Sequence, residues 1–158
     1  MIQFPYAIKD SRIPGAGKGL FTKSKMSAGK VLIAPSKIDS TLSLQELLKE
    51  SACIDSDSSV RWFESSYTLS PDWPDECYVN HSFSPNGLWH LGFLFALHDI
   101  AADEEITMDY SHIIAPHHQM GFCDSLTGKP IIGLSWQKSL LSTTEQLLGL
   151  ARNLPEVE

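Results

Sequence analysis

Turn-forming residues interrupt this chain so often that only short elements fit between them. Pro14-Gly15-Ala16-Gly17 reads as a flexible turn, and the apolar run Val31-Leu32-Ile33-Ala34 is cut off by Pro35. Glycine admits left-handed backbone and proline removes a donor, so residues 1 to 35 can hold two or three strands but no long helix. Pro71 and Pro74 break the aromatic middle, where Trp62, Phe63, Tyr67, Trp73 and Tyr78 are expected in the core. From Leu88 to Leu97 the run Leu-Trp-His-Leu-Gly-Phe-Leu-Phe-Ala-Leu reads as one largely buried strand with Trp89 and His90 as core or interface residues, and Glu105 to Tyr110 as an alternating strand.

Two segments escape this pattern. Ser43-Leu44-Gln45-Glu46 has capping-box spacing ahead of Leu47 and Leu48, predicting a helix over 43 to 51. A second such box, Ser142-Thr143-Thr144-Glu145, is read as the start of a C-terminal helix carrying Leu147, Leu148 and Leu150, within a segment bounded at 137 to 152. Asp55-Ser56-Asp57-Ser58-Ser59 reads as a loop. The fold class is therefore α+β and β-rich. At 158 residues, 42% of them hydrophobic, residues 1 to 158 suit one domain with its own core.

Charge and cysteines exclude several functions. The formal net charge is -7 and the arginines are Arg12, Arg61 and Arg152, which argues against generic nucleic-acid binding and suits a basic partner. No apolar run approaches the ~18 residues of a membrane span, and Met1-Ile2-Gln3-Phe4-Pro5 is not a signal-peptide start, so a soluble cytoplasmic protein is expected. Cys53, Cys77 and Cys123 are odd in number and widely spaced, pointing to free, partly buried thiols. His112, His117 and His118 lack ligand spacing and are read as solvent-facing loop residues, with no metal expected.

Three motifs carry chemistry. Gly17-Lys18-Gly19-Leu20-Phe21 follows the first turn; Asn80-His81-Ser82-Phe83-Ser84-Pro85-Asn86 follows Tyr78-Val79; and Asp103-Glu104-Glu105-Ile106-Thr107-Met108-Asp109-Tyr110 comes about two dozen residues later. Alone, each has a bland reading: a turn before a strand, an Asx-type turn with a satisfied histidine, a strand tyrosine. Together and in this order they resemble the motif set of the SET-domain protein-lysine methyltransferases, over roughly residues 10 to 112. Phe83 stands where cysteine is usual, and Asp103 where glycine is usual.

The resemblance implies a fold of several short sheets with a C-terminal pseudoknot, and methyl transfer from S-adenosylmethionine to a lysine side chain of a protein. It implies cofactor binding by Gly17, Lys18, Gly19, Asn80, His81 and Phe122. Tyr110 would be the catalytic residue at the floor of a lysine channel, with Tyr67 and Tyr78 as further channel aromatics. Many relatives follow the catalytic strand with a cysteine-rich zinc segment. Here residues 113 to 158 diverge, so closure is expected from Phe122, Trp136 or the terminal helix, without zinc. A degenerate SET domain that binds a protein partner without turnover is the alternative. The oligomeric state stays open, a homodimer included.

Overall fold

The structure, a computed structural model, describes residues 1–35, 41–50, 59–69 and 72–155. Cys53, Pro71 and most of the expected loop at 55 to 59 lie outside the described residues. Twelve described strands pair into five small sheets. β1 (Tyr6–Asp10) and β2 (Lys18–Thr22) form an antiparallel hairpin around the Pro14 to Gly17 turn. β3 (Val31–Ile33) joins β8 (Gly87–His90) and β9 (Phe93–Ala96) in a second sheet. β4 (Leu42–Ser43), β5 (Ser59–Phe63) and β6 (Ser66–Leu69) make a third, in the order β4-β6-β5. β7 (Asn80–His81) pairs with β10 (Thr107–Met108), and β11 (Gln119–Cys123) with β12 (Pro130–Ile132). The helices are α1 (Leu44–Glu50) and α2 (Trp136–Arg152).

Several sequence expectations change. The apolar run 88 to 97 is a hairpin and not one strand: Leu91 (φ 49°) and Gly92 (φ 86°) form a two-residue turn with both residues left-handed, the geometry that matches strand twist. The strand expected over 105 to 110 shrinks to Thr107–Met108, because Tyr110 opens a 3₁₀ turn through His112. α2 begins at Trp136, where the Ser135 hydroxyl accepts the Lys138 N–H at 3.4 Å. The Ser142 box lies mid-helix, and the neighbouring Thr143 hydroxyl bonds back to Ser139 O at 2.9 Å, a local option that lets serine and threonine sit inside a helix. The first box is a true cap: Ser43 N–H donates to Glu46 Oε2 at 2.8 Å and Glu46 N–H to Ser43 Oγ at 3.3 Å.

One core runs through the small sheets. Leu20, Leu32, Leu94, Ile100, Ile106 and Ile131 are fully buried, each contributing about 1.5–3 kcal/mol of apolar transfer. Trp89 is buried as expected and meets Trp62 edge-on, ring centroids 5.5 Å apart. His112 is buried too, contrary to the solvent-facing reading; only His117 and His118 of that group are exposed. Its Nδ1 lies 2.9 Å from Ser139 Oγ, while His90 Nδ1 lies 2.8 Å from Thr143 Oγ1, so two histidines dock α2 on the body. Among the described residues no helix is long and apolar enough to cross a membrane.

Candidate active site

The site is organised by one short parallel pairing. Thr107 aligns with Asn80 and Met108 with His81, and Ser82 N–H extends the ladder to Met108 O at 3.0 Å. This pairing sets the Asn80-His81 motif beside the Glu105 to Tyr110 motif. Asp103 has φ 67° at the turn leading in, a left-handed position that aspartate tolerates where glycine would be unstrained.

Glu105 locks the first motif to the other two. Its buried carboxylate accepts from Ser11 Oγ at 2.6 Å, Arg12 N–H at 2.8 Å and Asn80 Nδ2 at 2.8 Å. Asn80 Nδ2 also donates to Lys18 O at 2.9 Å. The donors of Asn80 are thus spent on protein acceptors, which leaves Oδ1 as its remaining polar atom. Gly19 is required by the same cluster, since a Cβ there would lie 2.2 Å from Glu105 Oε1.

His81 and Tyr110 form the next layer. His81 Nδ1 accepts the Tyr110 N–H at 3.1 Å, and Tyr110 donates its hydroxyl proton to Val79 O at 2.8 Å. An Nδ1 that accepts must be unprotonated, so the ring is the Nε2–H tautomer. Burial pushes the His81 pKa below its ordinary value, outweighing the pull of Asp109 and Asp124. The Tyr110 turn is clamped from outside by buried Arg61, whose guanidinium donates to His112 O at 2.9 Å and Leu134 O at 2.8 Å.

A cleft of about 450 Å³ opens where these layers meet, a size suited to a nucleoside-sized ligand. The Ile13 to Ala16 turn and Lys18 form one side, Trp73, Cys77 and Tyr78 another, and Asn80, His81 and Tyr110 the wall between. The hairpin β11–β12 closes the remaining side with Met120, Phe122, Cys123, Asp124 and Ser125, and Ser125 Oγ donates to Pro14 O at 3.1 Å. Burial pushes the Cys77 thiol up to about 11, so it stays protonated at neutral pH and is no nucleophile.

Of the residues singled out in the sequence, Lys18, Asn80, His81, Phe122, Tyr78 and Tyr110 line this cleft. Gly17 and Gly19 are not among the lining residues, although they flank Lys18, which is. Tyr67 does not reach it: it is 1% exposed on β6, against the buried face that holds Arg61. Trp136 is absent from the lining as well. Sequence reasoning missed Glu105 as the hub and Asp124 as a wall residue. The signal for the second is Asp124-Ser125-Leu126-Thr127-Gly128, a turn sequence in which an aspartate bonds its own backbone three residues on. Among the described residues no three His, Cys, Asp or Glu side chains converge as metal ligands.

Fold and cleft define a small β-rich domain assembled around paired motifs and a ligand-sized cleft, and known proteins share that architecture. The SET domain family model matches residues 17–111, more than half of the chain. The structure is similar to the methyltransferase domain of human histone-lysine N-methyltransferase SETMAR, with a TM-score of 0.55 and 23% sequence identity. That match covers 70% of this chain and 45% of the SETMAR domain chain, so this chain spans less than half of the structure it matches. No curated protein matches in sequence. The chain belongs to the SET-domain family.

Proposed function

We propose that this protein is an S-adenosylmethionine-dependent protein-lysine N-methyltransferase. The observation that carries the reading is the convergence of Asn80, His81 and Tyr110 on one cleft through the β7–β10 pairing. The residues present fit the cofactor: Asn80 Oδ1 suits an ammonium, the backbone of the Ile13 to Ala16 turn suits a close-lying polar chain, and Phe122 suits an adenine face. When bound, S-adenosylmethionine supplies the electrophilic methyl group.

The chain's own residues position and dehydrate the acceptor. Free lysine has a pKa of about 10.4 and is mostly charged at neutral pH, so its amine must lose a proton before it attacks. With a lysine seated between Trp73, Tyr78 and Tyr110, these aromatic walls would displace water and disfavour the ammonium. Tyr110 is fixed at both ends, by His81 through its backbone and by Val79 through its hydroxyl, which holds the phenol ready to orient the amine. The bond formed is lysine N to methyl carbon and the bond broken is sulfur to methyl carbon; the amine proton leaves to solvent. A basic protein segment is the proposed target, in keeping with the net charge of -7.

Calorimetry with S-adenosylmethionine, followed by transfer of a labelled methyl group to basic proteins, tests this reading. Stoichiometric binding and lysine labelling are expected. Binding without labelling of any substrate supports the non-catalytic alternative, and no binding removes both cofactor and reaction.

A further inference from the structure

We propose that Asp124 is a positioning residue of this site, one that fastens the hairpin β11–β12 to His81 and, through the His81 ring, sets the backbone of Tyr110. Its meaning for catalysis rests on the methyl-transfer reading above. Its geometry does not.

Asp124 stands out from its own hairpin. Residues 121–123 and 125–130 are exposed, while the Asp124 side chain is 3% exposed. A carboxylate so enclosed needs several donors. Thr127 supplies two, its N–H and its hydroxyl, both at 2.7 Å from Oδ2. These alone would close the turn. The Phe83 N–H, next but one to His81 in the chain, also favours the charged carboxylate. Burial raises the Asp124 pKa, but the Thr127 bonds, the Phe83 N–H and His81 together bring it below the ordinary aspartate value.

The contact that matters most is longer. Asp124 Oδ1 lies 3.7 Å from His81 Nε2, whose side chain is 4% exposed and which makes no hydrogen bond among the described residues. Because Nδ1 is occupied by the Tyr110 N–H, the single ring proton is on Nε2, facing the carboxylate. The charge therefore favours the one tautomer that can hold Tyr110. The other groups facing His81 are Asp109, with Oδ1 3.9 Å from Nδ1, and the rings of Phe83 and Tyr110, with centroids at 4.6 Å and 5.3 Å. A protonated His81 would point a second proton at the Tyr110 N–H and break the link. Ser125, the next residue, grips Pro14 on the opposite rim, so one turn of the hairpin holds both sides of the cleft.

Asp124→Asn keeps the shape of the turn and removes the charge. The test follows His81 by its imidazole proton resonance against pH, hairpin amides 119–132 by hydrogen exchange, and S-adenosylmethionine affinity by calorimetry. Asp124 raises the His81 pKa in the native protein, so the variant should titrate at lower pH. Hairpin amides should exchange about tenfold faster and cofactor affinity should fall about tenfold, the effect of weakening a bond to a charged group. In turnover, the acidic limb of the pH profile should move to lower pH with His81, a shift that simple loosening of the turn would not produce. An unchanged His81 titration with unchanged exchange overturns the proposal. If neither protein binds S-adenosylmethionine but both shifts appear, the positioning role stands and the methyltransferase reading fails. Should Asp124→Asn not fold, Thr127→Val removes one donor to the same carboxylate and must speed hairpin exchange; no change there also overturns the proposal.

Discussion

Glu105 satisfies donors from two segments more than sixty residues apart, so its removal should be felt well beyond its own strand. Glu105→Ala leaves the Arg12 N–H without its acceptor and takes one acceptor from Asn80 Nδ2, which keeps Lys18 O; for such part-buried groups the cost is about 1–3 kcal/mol in all. For a domain of this size that corresponds to a melting temperature lower by roughly 2–12 °C, measurable by calorimetry. Tyr110→Phe is the converse case. It keeps the ring and deletes one hydroxyl, so stability should change by only about 1 kcal/mol, while single-turnover methyl transfer at saturating cofactor should fall on the order of 100-fold. Near-normal transfer in that variant would take Tyr110 out of the catalytic role. At this scale the sequence was legible through the family resemblance that its motifs carry: Asn80, His81 and Tyr110 reach one cleft because those motifs pair strand to strand. Tyr67 misled because an aromatic residue signals burial without saying which cavity it faces. Glu105 and Asp124 were hidden because their importance lies in partners far along the chain.

Among the elements, the short apolar runs were readable as strands, but their interruptions were not. Leu91-Gly92 lacks the asparagine or aspartate that advertises a tight hairpin, and an apolar run of ten residues has no period that reveals a reversal. The turn is nonetheless demanding. Gly92 has φ 86°, and a Cβ there would lie 2.2 Å from the Trp62 ring, whereas Gly128 at φ 68° has nothing within 4 Å. Gly128→Ala should therefore cost about 1 kcal/mol from backbone strain alone, and Gly92→Ala clearly more, because ring and strand must also move. Denaturant unfolding of the pair compares them directly; equal costs would mean that Trp62 yields freely. The hairpin β11–β12 is held by bonds from Thr127 to Asp124 and from Ser125 to Pro14. A chelator should leave the melting temperature and cofactor affinity unchanged, and a drop in either would reveal a metal ligand set.

For the molecule as a whole, acid stability separates into two ranges. Burial holds His81, His90 and His112 below the ordinary histidine pKa, so the folded state favours their neutral rings. The unfolded chain then takes up protons first. The stabilisation is complete above a pH of about 6.5 and is lost as pH falls below it. Asp10, Asp99, Asp103 and Asp124 have lowered pKa values, and their share is lost only below about pH 4. Melting temperature should thus be flat from pH 7 to 8, fall between pH 6.5 and 5, and fall again in stronger acid. A flat profile down to pH 5 would show that the docking histidines of α2 carry no linkage.

The two-residue pairing of β7 with β10 has a consequence for how the chain reaches this state. Its partners stand far apart in sequence, as do Phe21 and Glu105, which bridge, and Pro14 and Ser125, which bond. None of these contacts can form early from local structure, and each must close a long loop before it returns any stabilisation. A fragment without the Ile13 to Lys18 segment, or without the hairpin β11–β12, lacks one wall of the cleft. A nascent chain emerging from the ribosome would carry the first two motifs with neither ordered, until the hairpin residues had left the exit tunnel. Refolding is accordingly expected in the slow, millisecond-to-second range of proteins dominated by nonlocal strand pairing, with ligand-binding capacity appearing in the last phase and not in proportion to the secondary structure already formed.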